Sequence, residues 1–315
     1  MKALLTPELL RRLEQFQLLA KRHAKSSIRG ERRSKARGQS VEFADYRNYV
    51  VGDDLRYLDW NLYGRLDRLF LKLYEEEREL PVTLFLDGSE SMGFGEPSKF
   101  DFARQVAAAI GYVALCGFDR VSVRVFPNHR GRDAPPQAGE SSNRQSSVDA
   151  MKALGALKSV RGRKSSMMFL TNLAMLVPGG RADFNESLKR GAMEASHGGV
   201  AVVLSDFLDE GGYEEGLKSL VSRGFQVSAV QILSPEELSP TSYGDLRLVD
   251  SETGHSEEVT FGRHRLEVYT RVVREHVERL RQHCRARGIQ FFQCSSNGRL
   301  EDLLLKRLRE SEVWG

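Results

Sequence analysis

Pro81-Val-Thr-Leu-Phe-Leu-Asp87-Gly-Ser89-Glu-Ser91-Met92 decides the fold, because an apolar strand-like run delivers Asp-x-Ser-x-Ser into a loop. Val82–Leu86 has the β-branched, aromatic and aliphatic content of a strand buried on both faces. Three short oxygen-bearing side chains two residues apart converge inward from a tight turn. Neutral hydroxyls beside one or two carboxylates suit a hard cation such as Mg2+, with Mn2+ or Ca2+ as substitutes. On its own such a loop has a commoner use, capping the next helix; the strand in front of it points to a binding site.

Outward from this stretch, strands and helices alternate, the pattern of a parallel α/β sheet. Lys99–Cys116 reads as a helix and Val121–Phe126 as a strand. The polar Pro127–Ser147 stretch reads as a variable loop, followed by a helical region to about Ala195. Gly199-Val-Ala-Val-Val-Leu-Ser205-Asp206 repeats the opening theme, and a Gly-rich turn and a helix around Tyr213–Ser222 follow it. Phe225–Leu233 is another buried strand. Pro235, Pro240, Gly244 and Gly254 punctuate a hairpin insertion near 234–262, in which Leu246–Val249 pairs with Glu257–Phe261. A long helix over Arg265–Arg287, a strand at Ile289–Gln293 and an amphipathic helix over Leu300–Arg309 complete the chain.

Upstream, Thr6-Pro7-Glu8 starts a helix whose apolar face is Leu9, Leu13, Phe16 and Ala20. From Lys21 to Gly38 eight Lys or Arg meet the single acid Glu31, a basic arm read as solvated. Val41–Tyr46 and Leu69–Tyr74 alternate like strands around a turn-rich corner at Val51–Trp60. Glu42, Asp45, Arg47, Asp53, Asp54, Arg56, Asp59 and Arg65 read as ion pairs that fix this corner. The expected organisation is therefore residues 1–80 as helix, basic arm and β-rich addition, and 81–315 as an α/β domain with a mostly parallel, Rossmann-type sheet flanked by helices.

The bulk numbers bound the function. A chain of 315 residues with 40% hydrophobic content buries a proper core. A net charge of +4 with 29% charged residues does not argue for nucleic acid. Cys116, Cys284 and Cys294 lack Cys-x-x-Cys spacing, so a disulfide framework or zinc site is not expected and reduced thiols in the cytoplasm are. The longest charge-free apolar stretch, Val106–Phe118, is too short to cross a bilayer, and no direct membrane insertion is expected.

In an open parallel sheet, ligands bind beyond the carboxyl ends of strands near the topological switch point. Asp87 and Asp206, far apart in sequence, meet at one edge if their strands are neighbours. The set Asp87, Ser89, Ser91 and Asp206 resembles the metal-ion-dependent adhesion site of the von Willebrand factor A fold, whose pattern adds a distant Thr. The matching segment is Gly180-Arg-Ala182-Asp183-Phe184, which puts Ala182 at the Thr position; the resemblance then implies a site in which water or Asp183 replaces that ligand. A wider resemblance rests on Gly38–Trp60, on Lys72-Leu-Tyr-Glu-Glu-Glu-Arg78, on Leu233–Leu238 and on Leu246–Gly254. These are similar to the bacterial domain of unknown function 58 family in its compact, membrane-free form. That resemblance implies a von Willebrand A-like core and work alongside a MoxR-type AAA+ ATPase.

Enzyme patterns fail residue by residue. A haloacid-dehalogenase-like phosphatase needs a second Asp where Ser89 stands. A Gly-x-Ser-x-Gly elbow needs Gly at that same position, and Gly162-Arg-Lys164-Ser165 is not a phosphate loop. The expectation is a non-enzymatic module that engages an acidic residue of a protein partner through a cation. A metal-dependent phosphoester hydrolase and a structural adaptor with a decayed metal site stand as alternatives.

Overall fold

The computed structural model describes residues 4–13, 41–76, 80–127, 159–181, 183–195, 198–240, 244–249 and 256–303. Two compact units emerge, residues 23–79 and residues 1–22 with 80–315. The basic arm at 21–38, the loop at 128–147 and Ala182 lie outside the described residues, as does all of the expected 300–309 helix beyond Leu303.

In the smaller unit, β1 (Val41–Asn48) pairs antiparallel with β2 (Phe70–Glu76), Tyr46 opposite Lys72, with a bulge between Phe43 and Asp45. Between them, α2 (Trp60–Leu66) is capped by Asp59, whose Oδ1 accepts from the N–H of Asn61 and of Leu62 at 3.0 and 3.1 Å. The other oxygen of Asp59 accepts from Lys72 Nζ and Tyr46 Oη, both at 3.0 Å. Arg47 pairs with Asp53 at 2.9 Å. The corner is held by ion pairs, although Lys72 in the second strand, not a charge of the corner itself, secures Asp59.

The larger unit begins with α1 (Pro7–Leu13), where Thr6 Oγ1 accepts from Leu9 N–H at 3.3 Å. Its sheet consists of β3 (Pro81–Asp87), β4 (Arg120–Phe126), β5 (Val160–Arg161), β6 (Val200–Ser205), β7 (Gln226–Leu233) and β10 (Gln290–Ser295). Their spatial order is β10-β7-β6-β3-β4-β5, parallel throughout except for β5. That short antiparallel edge, followed by α4 (Ser166–Ala174) and α5 (Phe184–Glu194), occupies a stretch whose sequence reads as helical to Ala195. Two residues give no periodicity to detect; the pairing of Arg161 with Arg120 is a tertiary choice.

Side-chain alternation along each strand feeds two apolar layers. Leu84 and Leu86, with Val200, Val202 and Leu204, pack on α3 (Lys99–Cys116), α4 and the α1 leucines Leu9 and Leu13. Phe85, Ala201 and Val203 face the other way, onto α5, α6 (Glu214–Ser222) and α8 (Arg263–Ala286). Burying each of these Leu, Val and Phe side chains contributes about 1.5–3 kcal/mol. Packing of α3 on α4 is close: a Cβ at Gly111 would come within 2.3 Å of the Phe169 ring. A short helix α7 (Pro235–Leu238) leads to the hairpin of β8 (Gly244–Val249) and β9 (Ser256–Phe261), in which Leu246 is opposite Val259. Among the described residues, no helix is long and apolar enough to cross a membrane. The chain passes from β3 to β4 on one side, then returns to β6 on the other, so the switch point lies between the carboxyl ends of β3 and β6.

Candidate metal centre

Register places the site. Leu86 is opposite Leu204, so Asp87 emerges beside Ser205, and Asp206 follows one residue later on the neighbouring strand. Asp87 is buried; its Oδ1 accepts from Ser89 N–H at 3.0 Å and its Oδ2 from the Ser205 hydroxyl at 2.6 Å. Ser205 Oγ accepts in turn from Phe207 N–H at 3.0 Å, across a backbone turn that puts Phe207 at φ 58°. His276 on α8 meets the Phe207 carbonyl at 3.0 Å, fixing the far side of that turn.

The loop after β3 is pinned by backbone bonds. Gly88 N–H donates to Phe126 O at 2.6 Å, Gly179 N–H to Gly88 O at 2.7 Å, and Glu90 N–H to Gly180 O at 2.9 Å. The last two bring the start of the Gly180–Phe184 segment against the Asp87 loop. Asp183 itself caps α5, its Oδ1 accepting from Glu186 N–H at 2.9 Å. Ser89 Oγ and the half-buried Ser91 Oγ share a hydrogen bond at 3.0 Å. Adjacent oxygens of an octahedron around Mg2+, with bonds of about 2.0–2.1 Å, are separated by about 3 Å, so this pair fits two neighbouring positions of such a shell. Among the described residues no cluster of three or more His, Cys, Asp or Glu is disposed to hold a metal, and a cation here would rest on hydroxyl oxygens supported by carboxylates.

Asp206 is placed differently. Its Oδ1 accepts from Leu208 N–H at 3.1 Å, and its Oδ2 accepts from Lys99 Nζ at 2.7 Å. Lys99, only 1% exposed, also donates to Glu237 Oε1 at 2.6 Å. Glu237 belongs to a capping box on α7: its Oε2 accepts from Ser234 N–H at 2.7 Å, and Ser234 Oγ accepts from Glu237 N–H at 3.1 Å. Burial alone pulls the Lys99 pKa down, but the charges and hydrogen bonds of Asp206 and Glu237 outweigh it and the net shift is upward. Asp87 has no cationic contact among the described residues. Burial first, then the charge of Asp206, push its carboxyl up to about 7 against the bonds from Ser205 and Ser89. Two carboxylates, Asp206 and Glu237, thus share one buried ammonium, and Asp87 stands beside them without one.

The structure brings together all four residues singled out in the sequence and adds Ser205, Lys99 and Glu237. Lys99 carried a signal in advance: a lysine at the first position of a helix opposes the helix dipole, which makes it an unusual choice there unless something holds its charge. Ser205 and Glu237 carried none, because hydroxyls at strand ends and glutamates in first turns are ordinary. No disulfide joins Cys116, Cys284 or Cys294, and burial pushes the Cys284 thiol up to about 12, away from the thiolate that reacts.

Two mycobacterial relatives, the uncharacterized proteins Mb1516 of Mycobacterium bovis and Rv1480 of Mycobacterium tuberculosis, are each 24% identical over 250 residues, which is 79% of this chain and 72% of theirs. Among solved structures, a conserved hypothetical protein BatB from Bacteroides thetaiotaomicron is similar with 17% identity and a TM-score of 0.39, covering 74% of this chain and 97% of that one. An aerotolerance-related membrane protein from Bacteroides fragilis is similar with 18% identity and the same TM-score, covering 74% and 98%. Residues 45–279 match the family described as Protein of unknown function DUF58, and since that match spans most of the α/β unit and the corner before it, the chain belongs to this family.

Proposed function

We propose that the chain is a non-enzymatic protein-binding module with a von Willebrand factor A-like domain, and that a divalent cation at Asp87, Ser89, Ser91 and Asp206 engages an acidic residue of its partner. The observation that carries this reading is the pair of serine hydroxyls 3.0 Å apart beside a buried carboxylate with no cationic contact among the described residues, at the switch point of the sheet. Ser89 and Ser91 would hold Mg2+, or Mn2+ or Ca2+, directly. Asp87, committed to Ser205 and the Ser89 amide, would orient the loop and bind through water. When bound, the ion supplies a Lewis-acidic position open to an outside carboxylate.

The surroundings suit docking. Phe94, on the loop after Ser91, is 51% exposed, and Leu208, on the loop after Asp206, is 48% exposed, so apolar contact is available on both site loops. The family resemblance makes a MoxR-type AAA+ ATPase the partner of choice, in complex assembly or maturation in the cytoplasm; three cysteines with no disulfide among them accord with a reducing compartment.

Isothermal titration with Mn2+ and Mg2+ tests the site: binding by the wild type that Asp87→Ala abolishes is the expected result, and no binding by either protein sinks the reading. Binding of a purified MoxR-type ATPase with and without EDTA tests the partner, and an interaction indifferent to EDTA would remove the cation from the mechanism.

A further inference from the structure

A lysine buried to 1% exposure is an expensive way to neutralise a carboxylate, since its ammonium gives up water and stands at the unfavourable end of α3. The arrangement nonetheless fixes it from three directions. The stem comes from α3, one partner, Asp206, follows β6, and the other, Glu237, is locked into the capping box that follows β7. Each oxygen of Asp206 already accepts one hydrogen bond, Oδ1 from the Leu208 amide and Oδ2 from the ammonium. A divalent ion that takes Asp206 as a direct ligand would displace the ammonium held at 2.7 Å from Oδ2, or bind Oδ1 a few ångströms from it against Coulomb repulsion.

We propose that Lys99 is a resident counter-cation that competes with the divalent ion for Asp206, keeps that carboxylate out of direct coordination, and so sets the site to weak, readily reversible cation capture. The inference rests on the cation reading above and adds a determinant of its affinity. Ser89 and Ser91 then carry the ion with water, and the shell tightens when a partner carboxylate joins it. Retaining Lys99 matters for a module that must release its partner: a high-affinity ion fully neutralised by protein carboxylates has little attraction left for an outside one.

The test compares Mn2+ affinity, by isothermal titration on the full chain, in wild type, Lys99→Met, Glu237→Gln and the double variant. Lys99→Met is expected to bind at least tenfold more tightly than wild type, and Mn2+ is expected to raise its melting temperature more. A gain of affinity is not something lost packing produces. If Lys99→Met alone does not fold, the double variant, which removes one charge of each sign, is compared with Glu237→Gln, and the same tenfold gain is expected. Equal affinities within the pair, with Asp87→Ala abolishing binding, would overturn the competition and leave the cation site standing. Absence of binding in every protein would overturn both, and so would binding that appears only once Lys99 is gone, because the native chain would then capture no cation.

Discussion

The ends of β3 and β6 look alike in sequence, each an apolar strand that runs into an aspartate at the same edge of the sheet, yet the two carboxylates live under different rules. Asp87 is held by a hydroxyl and an amide and has no cationic contact among the described residues. Asp206 is held by a buried ammonium that a second carboxylate shares. Similar strand-end motifs thus leave one carboxylate without a counter-charge among the described residues and give the other one that is built in. The two aspartates at this edge of the sheet have opposite electrostatic surroundings.

Removing the built-in cation should have the largest effect. Lys99→Met leaves Asp206 and Glu237 without their counter-charge and is expected to cost about 3–5 kcal/mol in urea unfolding without metal. A loss below about 1 kcal/mol would mean that the ammonium contributes little and that the contrast between the two ends is only apparent. At the other end, the sign reverses with pH. The folded-state pKa of Asp87 lies above its unfolded value, so its contribution to stability is full below about pH 4 and is lost as pH rises through about 7. Metal-free wild type is therefore expected to lose stability relative to Asp87→Asn between about pH 4 and pH 7. A difference that stays constant across that range would remove the electrostatic distinction between the aspartates. Ser205→Ala takes the hydroxyl from Asp87 Oδ2 and is expected to cost about 1–3 kcal/mol by urea unfolding. Smallest in stability is Ser91→Ala, within about 0.5 kcal/mol of wild type because its half-buried hydroxyl can be replaced by water. It sharpens the comparison by its other effect, an expected loss of Mn2+ binding seen by titration.

Much of this was legible in the chain because it is local. The helix Lys99–Cys116 shows in the sequence with the same bounds as in the structure, since Ser98 can accept from Asp101 N–H and Gly117 ends the apolar run. The hairpin at 244–261 follows from its glycines and alternation, and the strand-end aspartates follow from unbroken apolar runs. What escaped was non-local. Lys99 meets partners 107 and 138 residues further on, and only the parallel order of β3, β6 and β7 brings them together. Ser205 matters because of a register that pattern alone leaves free by one residue. β5 is two residues long, below the reach of any periodicity.

β6 has one more consequence. All six of its residues are buried, and it is hydrogen-bonded to β3 on one side and to β7 on the other. Its amide protons should be among the slowest in the protein to exchange with deuterated solvent, released only when the whole unit opens. A load applied at the tip of this strand would pass through those hydrogen bonds into both of its neighbours.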